Sequence, residues 1–355
     1  MASTSKMFPF RNLLLATAVV ASCLAVRQSI GGLGVDFPDP SITLDPKTSH
    51  WFVFATQGNG KNFQAAKSAD LHGEWTLLDD VDLLSAPAKW VNPTQPDIWA
   101  PDVQYIHHTD SFVLYYSGLH VGSPHHCVGV ATSPNITGPY APLDGEPLAC
   151  PLDDGGAVDA SGYFNEASNS RWVVYKVDGS SKGPGGPCGN GEPPGFDTPI
   201  MLQRVKVSDG ITPIGKPHPI LHRDPDLDGP LVEAPSLIKH GTGCAAVYVL
   251  FYSSHCYNVD EYDVRYATAK SIFGPYARQH ALLGKMASTK DMGLVRPGGA
   301  TSVPGGGALV FHAKCRAGRC MHQMDFEVAE GLVKLLITRK ACSNLTQRVR
   351  DTECW

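Results

Sequence analysis

The chain has few charged residues and no concentration of positive charge. Asp, Glu, Lys and Arg make up only 18% of its 355 residues, the formal net charge is −5, and basic residues never form a block longer than a pair. Surfaces that bind nucleic acid or anionic membranes need clustered basic side chains. We therefore expect a neutral or weakly charged partner, and neither nucleic acid nor membrane.

Long apolar runs are also missing, except near the N-terminus. There Lys6 and Arg11 precede the run LLLATAVVASCLAV, which ends in small residues near Ala25. This pattern predicts a secretory signal peptide within residues 1–30; a signal anchor is the alternative, although the run is short for a membrane span. We expect a soluble, secreted protein with one folded domain over residues 31–340 and a Cys-containing tail over residues 341–355.

Cysteine usage fits an oxidising compartment. Nine cysteines remain outside the leader, an odd number, so one thiol is expected to be free or to pair between chains. Two sequons, at Asn135 and Asn344, are possible glycosylation sites. The histidines show no spacing typical of a zinc site.

Five short runs rich in Val, Tyr, Phe and Trp predict buried strands. They are WFVFAT, FVLYYSG, WVVYKV, VYVLFYS and ALVFHAK, beginning at residues 51, 112, 172, 247 and 308. Before each lies a shorter strand with a common head, and the heads begin at Asp39, Asp102, Asp159, Glu233 and Gly299. An eleven-residue marker, as in VATSPNITGPY at 130 and YATAKSIFGPY at 266, follows several of these pairs.

A unit of strands and turns repeated five times, every 57 to 74 residues, predicts an all-β, five-bladed β-propeller with four-stranded blades. A two-sheet sandwich is the competing fold, but it does not explain why four of the five heads begin with an acid. In a propeller the first strand of each blade lines the central axis, so these acids are expected to converge there.

Converging carboxylates are unfavourable unless they are paired, protonated or bound to a cation. Calcium binding and glycoside hydrolysis are the two main uses of such a group. Each acid by itself is equally well explained as a turn cap. Glu233 is the exception, because its apolar setting between Val232 and Ala234 would raise its pKa, as a general acid requires.

Four motifs, in this order and spacing, resemble glycoside hydrolase family 43, which includes arabinanases, α-L-arabinofuranosidases and β-xylosidases. They are FPDPSI at 37–42, IWAPDV at 98–103, AVDASGYF at 157–164 and VEAPSLI at 232–238. The resemblance covers residues 36 to about 337. It implies a secreted, inverting hydrolase of arabinofuranosyl or xylosyl linkages in plant polysaccharide.

The resemblance also implies roles for individual residues. Asp39 matches the general base, Glu233 the general acid, and Asp159 the carboxylate that tunes and orients the acid. Asp102 is expected in a supporting or substrate-side role. Inversion needs a water between base and sugar, so the carboxyls of Asp39 and Glu233 are expected roughly 6.5 to 9.5 Å apart.

Family members often carry a His in the fifth blade that helps to hold an ion in the channel. Here the corresponding residues are Arg296-Pro297-Gly298-Gly299. The sequence therefore predicts no required cofactor, and a channel calcium ion is doubtful. Arg296 is a candidate for contacting the sugar or the acids, with a surface ion pair as the alternative. Trp90 and Trp99 are candidate sugar platforms, with packing as the alternative.

Loops from the second to the third strand of each blade are expected to wall the pocket. They cover residues 57–63, 118–126, 178–199, 253–261 and 315–320. The same geometry allows Cys127 to pair with Cys150 and Cys315 to pair with Cys320.

Two other functions compete with the inverting hydrolase, which we expect to act as a monomer. A retaining β-fructosidase is one, because Arg223-Asp224-Pro225 imitates an element of those enzymes. However, this chain lacks the Asn-Asp-Pro-Asn-Gly element of those enzymes and their Glu followed by Cys. A sugar-binding propeller without catalysis is the other.

Overall fold

The protein folds into five antiparallel sheets of four strands each, which are the blades of a β-propeller. The structure is a computed structural model, and it describes residues 35–284 and 293–336. The predicted signal peptide, the tail over residues 341–355 and the sequon at Asn344 lie outside these described residues. The all-β propeller prediction is confirmed.

Each blade consists of four strands that are consecutive in the sequence. Blade I holds β1 (Ser41–Leu44), β2 (Trp51–Ala55), β3 (Gln64–Ser68) and β4 (Thr76–Leu77). Blade II holds β5 (Trp99–Ile106), β6 (Ser111–Leu119), β7 (His126–Ser133) and β8 (Ala141–Pro142). Blade III holds β9 (Ala157–Asn165), β10 (Ser170–Val177), β11 (Ile200–Val205) and β12 (Pro213–Leu221). Blade IV holds β13 (Val232–His240), β14 (Val247–Ser254), β15 (Asp263–Ala269) and β16 (Ala277–Arg278). Blade V holds β17 (Gly298–Ser302), β18 (Ala308–Cys315), β19 (Gly318–Ala329) and β20 (Leu332–Leu335).

Helical structure is limited to short turns in the described residues. One α-helical turn, α1, covers Pro225–Asp228. Turns of 3-10 helix cover Leu152–Asp154, Glu166–Ser168, Gly179–Lys182, Pro187–Gly189 and Gly243–Ala245. No helix in the described part of the chain is long and apolar enough to cross a membrane.

The second strand of each blade is apolar on both faces because each face packs against a neighbouring blade. In β14, Leu250 and Tyr252 join the cluster shared with blade III, whereas Val249 and Phe251 join the one shared with blade V. Five such clusters form the core, one between each pair of neighbouring blades. Burial on both faces explains why these strands show continuous apolar runs rather than alternation.

The repeated marker forms the same turn in blades II and IV. Gly138 and Gly274 have φ of 80° and 85°, each precedes a cis proline, and the tyrosine that follows donates a hydrogen bond to an isoleucine carbonyl four residues earlier. The positive φ explains the glycine in this marker, since other residues are strained there. The marker is therefore a turn signature, unconnected with the channel.

Blade V closes the ring against the first described residues. The N–H of Phe37 donates to the carbonyl of Arg319 at 2.8 Å, and the carboxylate of Asp36 accepts from the N–H of Arg319. Because each described sheet is built from consecutive strands, no strand is exchanged between the first and last blades. Instead, the ring is closed by the hydrogen bonds between β19 and the residues that precede β1.

Three disulfides lie in the described part of the chain. Two of them, Cys127–Cys150 and Cys315–Cys320, are the predicted pairs and are confirmed. The third, Cys188–Cys256, joins the long loop of blade III to blade IV and was not predicted. Among the described cysteines, Cys244 is free and exposed.

Candidate active site

A cavity of about 360 Å³ lies at the end of the channel where the first strands begin. Its lining includes all four acids of the predicted heads, Asp39, Asp102, Asp159 and Glu233. The predicted convergence of these residues is therefore observed.

The first strands share a local backbone feature that corrects the predicted alignment of the heads. Near the start of each first strand one residue has a left-handed φ between 47° and 60°, and these residues are Asp39, Ala100, Asp159, Ala234 and Gly299. The prediction that Asp102 and Glu233 are equivalent to Asp39 is therefore wrong. The true equivalents are Ala100, two residues before Asp102, and Ala234, one residue after Glu233. Because Asp102 lies two residues after its head, it corresponds to Ser41, deeper in the channel.

The left-handed conformation turns each head N–H toward the neighbouring blade. The N–H of Ala100 donates to Oγ1 of Thr56 at 2.8 Å, that of Asp159 to Oγ of Ser117 at 3.1 Å, and that of Gly299 to Oγ of Ser253 at 2.9 Å. The N–H of Asp39 donates to Nδ1 of His312 at 3.0 Å. Each acceptor lies at or near the end of the preceding blade's second strand. Ser117, Ser253 and His312 pair with Trp99, Glu233 and Gly298, the residues just before the heads of their own blades, and Thr56 directly follows β2.

Blade III breaks this pattern. The corresponding residue of its second strand is Lys176, whose ammonium has no lone pair to accept a hydrogen bond. The N–H of Ala234 is bonded instead by Oδ2 of Asp159, at 3.0 Å. The carboxylate of Asp159 is thereby fixed beside residue 233.

Asp39 is surrounded by donors. Its Oδ2 accepts from the hydroxyl of Thr56 at 2.7 Å, and its Oδ1 accepts from Nη1 of Arg319 at 3.1 Å. Burial by itself would raise the pKa of Asp39, but the Arg319 guanidinium and the Thr56 hydrogen bond outweigh it and hold that pKa below its ordinary value. Asp39 is therefore ionised at neutral pH.

His312 is neutral beside this carboxylate. Burial lowers the pKa of His312 to about 3, and its Nδ1 accepts the N–H of Asp39. The 3.4 Å contact between Nδ1 of His312 and Oδ1 of Asp39 is consequently not an ion pair. The positive charge next to Asp39 belongs to Arg319.

Asp159 and Glu233 have the opposite tendency. Burial raises the pKa of both, and their mutual proximity raises that of Asp159 further. The nearby ammonium of Lys176 opposes this increase without cancelling it. Asp159 and Glu233 titrate together, and as a pair they retain a proton at a higher pH than Asp39 does.

Asp102 joins two blades. Its Oδ2 accepts from the N–H of Gly162 in blade III at 2.7 Å, and its Oδ1 accepts from the side chain of Gln104 at 2.9 Å. Burial raises the pKa of Asp102 to about 6. These contacts link blade II to blade III in the lining of the cavity.

The other predicted binding residues are distributed differently. Trp99 lines the cavity, and one face of its ring is stacked on His126 with 3.7 Å between ring centroids. Trp90 lies instead in the core between blades I and II, stacked on Tyr116. Arg296 is ion-paired with Asp260 at 2.9 Å outside the cavity lining, as the alternative interpretation had it.

Three of the five predicted wall loops contribute to the cavity. Loop 178–199 supplies several residues, among them Cys188, loop 253–261 supplies Tyr257, and loop 315–320 supplies Arg319. The loops at 57–63 and 118–126 do not appear in its lining. The disulfide from Cys188 to Cys256 holds the first two of these loops together beside Tyr257.

The described residues do not form a cluster of side-chain ligands typical of a calcium site. Among the described residues, no three His, Cys, Asp or Glu side chains are grouped as metal ligands. The buried Nε2 of His312 has no hydrogen-bond partner, but a single nitrogen is not the oxygen-rich ligand set that calcium prefers. The absence of a required cofactor stays a prediction.

Sequence reasoning missed Lys176, His312, Arg319 and Tyr262, all of which lie at the acids. Lys176 and His312 sit inside the apolar runs WVVYKV and ALVFHAK, where a buried polar residue is itself a signal. Tyr262 packs where Gly298 leaves room, since a Cβ there would lie 1.8 Å from its ring. Gly298 therefore accommodates the ring of Tyr262, one residue before Gly299, which is the position where the family resemblance suggests a His.

Comparisons with known proteins agree with this architecture. The model of the family described as "Glycosyl hydrolases family 43" matches residues 33–325. An arabinan endo-1,5-alpha-L-arabinosidase C of Emericella nidulans is 30% identical over 127 residues, which cover 35% of this chain and 38% of the relative. An extracellular endo-alpha-(1->5)-L-arabinanase of Thermotoga petrophila is 28% identical over 169 residues, covering 39% and 33%. The matches therefore span little more than a third of these curated relatives.

Solved structures match over most of the chain. A thermostable family-43 glycoside hydrolase superimposes with a TM-score of 0.68 at 22% identity, covering 86% of this chain and 94% of its own. The native arabinanase of Bacillus subtilis gives 0.59 at 20% identity, covering 84% and 97%. At these identities the structural match supports the fold alone. The family match over residues 33–325 goes further, and the chain belongs to glycoside hydrolase family 43.

Proposed function

We propose that the protein is an inverting hydrolase of arabinofuranosyl linkages in arabinan. One observation carries this proposal: a single cavity holds a carboxylate with a lowered pKa, Asp39, beside carboxyls with raised pKa values, among them Glu233. A glycoside hydrolase needs this combination of an ionised base and a protonated acid.

These protonation states support the roles that the family motifs assign to Asp39 and Glu233. The Asp39 carboxylate takes a proton from a water as its oxygen attacks the anomeric carbon. Glu233 gives its proton to the leaving glycosidic oxygen as the bond from that carbon breaks. Asp159, fixed by the N–H of Ala234, keeps the acid protonated through its charge. Trp99 offers its free face to a sugar ring.

Arabinan is the proposed substrate because both relatives described above carry arabinan-degrading names. Xylan is the second candidate, since the family resemblance includes xylosidases. A retaining β-fructosidase is less well supported, because Asp224 in Arg223-Asp224-Pro225 caps α1 by accepting from the N–H groups of Asp226 and Leu227. Three disulfides and the extracellular relative support secretion.

Incubation with debranched arabinan, arabinoxylan and inulin tests the proposal. We expect arabinan to be cleaved and the first product to carry the inverted anomer in proton NMR. Glu233→Gln should lower the rate by at least about 100-fold, the lower end for general acid catalysis. Glu166→Gln, an exposed position on a 3-10 turn, is the matched control.

Three results would contradict the proposal. They are a retained anomer, activity on inulin alone, and equal rates for Glu233→Gln and the wild type. Circular dichroism of both variants establishes that any loss of activity is not a loss of fold.

A further inference from the structure

We infer that Lys176 is a positioning residue for the acid: its ammonium holds the carboxyl of Glu233 directly and leaves the N–H of Ala234 to Asp159. This inference rests on the proposed function, because it assigns Glu233 the role of proton donor. It concerns a residue that is buried inside an apolar strand.

The ammonium of Lys176 is held firmly. Its Nζ lies 2.9 Å from Oδ1 of Asp178, 3.2 Å from Oγ of Ser180 and 3.4 Å from Oε2 of Glu233. The Lys176 side chain is only 3% exposed. An ammonium has three hydrogen-bond donors, and here each has an acceptor, so its position is determined on all sides.

The charge of Lys176 is compensated by Asp178, and its contact with Glu233 is additional to that ion pair. A buried cation is unfavourable unless it is paired, and Asp178 alone supplies one compensating charge. The pKa of Asp178 is lowered, because the Lys176 ammonium outweighs the effect of burial, so this pair stays ionised. Glu233 is therefore a second acceptor for Lys176 and need not carry a charge to compensate it.

The second contribution of Lys176 is indirect. In the other four blades the residue at its position accepts the head N–H of the next blade, through Thr56, Ser117, Ser253 or His312. Lys176 offers no acceptor, and Oδ2 of Asp159 takes the N–H of Ala234. The presence of Lys176, where the other blades carry an acceptor, thus orients both Asp159 and Glu233.

Several groups set the protonation of Glu233, and all must be considered together. Lys176 on β10 favours its ionised form, as does a hydrogen bond from Tyr262, which precedes β15. Asp39 before β1 and Asp178 after β10 favour its protonated form, and Asp159 on β9 titrates with it. Removing Lys176 removes the nearest positive charge from this set.

The pH profile of Lys176→Met distinguishes positioning from a structural role. Loss of an opposite charge at this distance should move the alkaline limb of kcat/KM upward by about one unit, and kcat should fall roughly tenfold as the acid loses its orientation. Lys176→Arg keeps the charge and should leave the limb in place. Asp178→Asn removes a negative charge and should move the limb in the opposite direction. Lys67→Met on β3, an exposed position, is the control.

Rates are expressed per folded molecule, with the folded fraction taken from thermal unfolding. If the alkaline limb of Lys176→Met superimposes on that of the wild type, the inference is wrong, whatever happens to stability. Failure of the wild type to hydrolyse any of the three polysaccharides would contradict the proposed function instead. In that case the Glu233 carboxyl is titrated by carbon-13 NMR, with its signal assigned through Glu233→Gln. A raised Glu233 pKa in Lys176→Met supports the inference, and an unchanged pKa contradicts it.

Discussion

Oδ2 of Asp159 accepts a hydrogen bond from the N–H of Ala234 at 3.0 Å, and this bond joins the carboxylate of blade III to the backbone beside the acid of blade IV. Two substitutions separate the hydrogen bond of Asp159 from its negative charge. Asp159→Asn can keep the acceptor and removes the charge, whereas Asp159→Ala removes both.

For Asp159→Asn we expect a downward shift of the alkaline limb of kcat/KM, because Glu233 loses a neighbouring negative charge and releases its proton more readily. Asp159→Ala should show the same shift and also lose about 1–3 kcal/mol of unfolding free energy, since a buried N–H is left without a partner. pH-rate profiles and urea unfolding measure the two effects. Equal stability of the two variants would show that the bond does not orient the carboxylate.

Arg319 is expected to set the acid limb of the same profile. It holds the pKa of Asp39 low, so the proposed base stays ionised as pH falls. In Arg319→Met, burial is no longer opposed by this charge, and the acid limb of kcat/KM should move upward. Arg296→Met, which removes an arginine paired outside the cavity, is the matched control and should leave the limb unchanged.

Asp102 should make stability depend on pH. Its folded-state pKa of about 6 lies above the ordinary 3.8, so the folded protein binds its proton more tightly than the unfolded chain does. Stability contributed by the protonated form is present below pH 4 and is lost as pH rises to about 6, by at most about 3 kcal/mol. Asp102→Asn should flatten this part of the curve in urea unfolding at pH 4 to 7. An unchanged slope would rule out Asp102 as its source.

The two tryptophans should respond in opposite ways to the same change. Trp99→Ala should raise KM by roughly 2- to 10-fold with little effect on unfolding, because one stacking face is lost. Trp90→Ala should lower the free energy of unfolding by about 3–5 kcal/mol, because it leaves a cavity in a packed core. Steady-state kinetics and urea unfolding of both variants provide the comparison. A Trp99 variant with unchanged KM would place the sugar elsewhere.

The blades were predictable because the signal is periodic and strong. The apolar runs predicted to start at 51, 112, 172, 247 and 308 correspond to strands that begin within two residues of those positions. Burial on both faces makes such runs conspicuous. The sequence likewise predicted that the acids meet, since first strands share one axis.

The electrostatic surroundings of the acids were not predictable in the same way. Arg319 reaches Asp39 from the start of β19 in the last blade, and no local pattern indicates which blade it faces. The alignment of the heads failed for Asp102 because a left-handed alanine, Ala100, marks the true equivalent, and alanine gives no sign of that backbone. Trp90 and Trp99 look alike in sequence, and only packing separates them.

Closure of the ring by the chain before β1 and by blade V has a consequence for synthesis. Asp39 is made early, whereas its partners His312 and Arg319 come 273 and 280 residues later. A chain interrupted after blade IV would carry all four channel acids, but Asp39 would lack the neighbouring cation. The nascent protein therefore completes the surroundings of its proposed base only when its last blade docks onto its first.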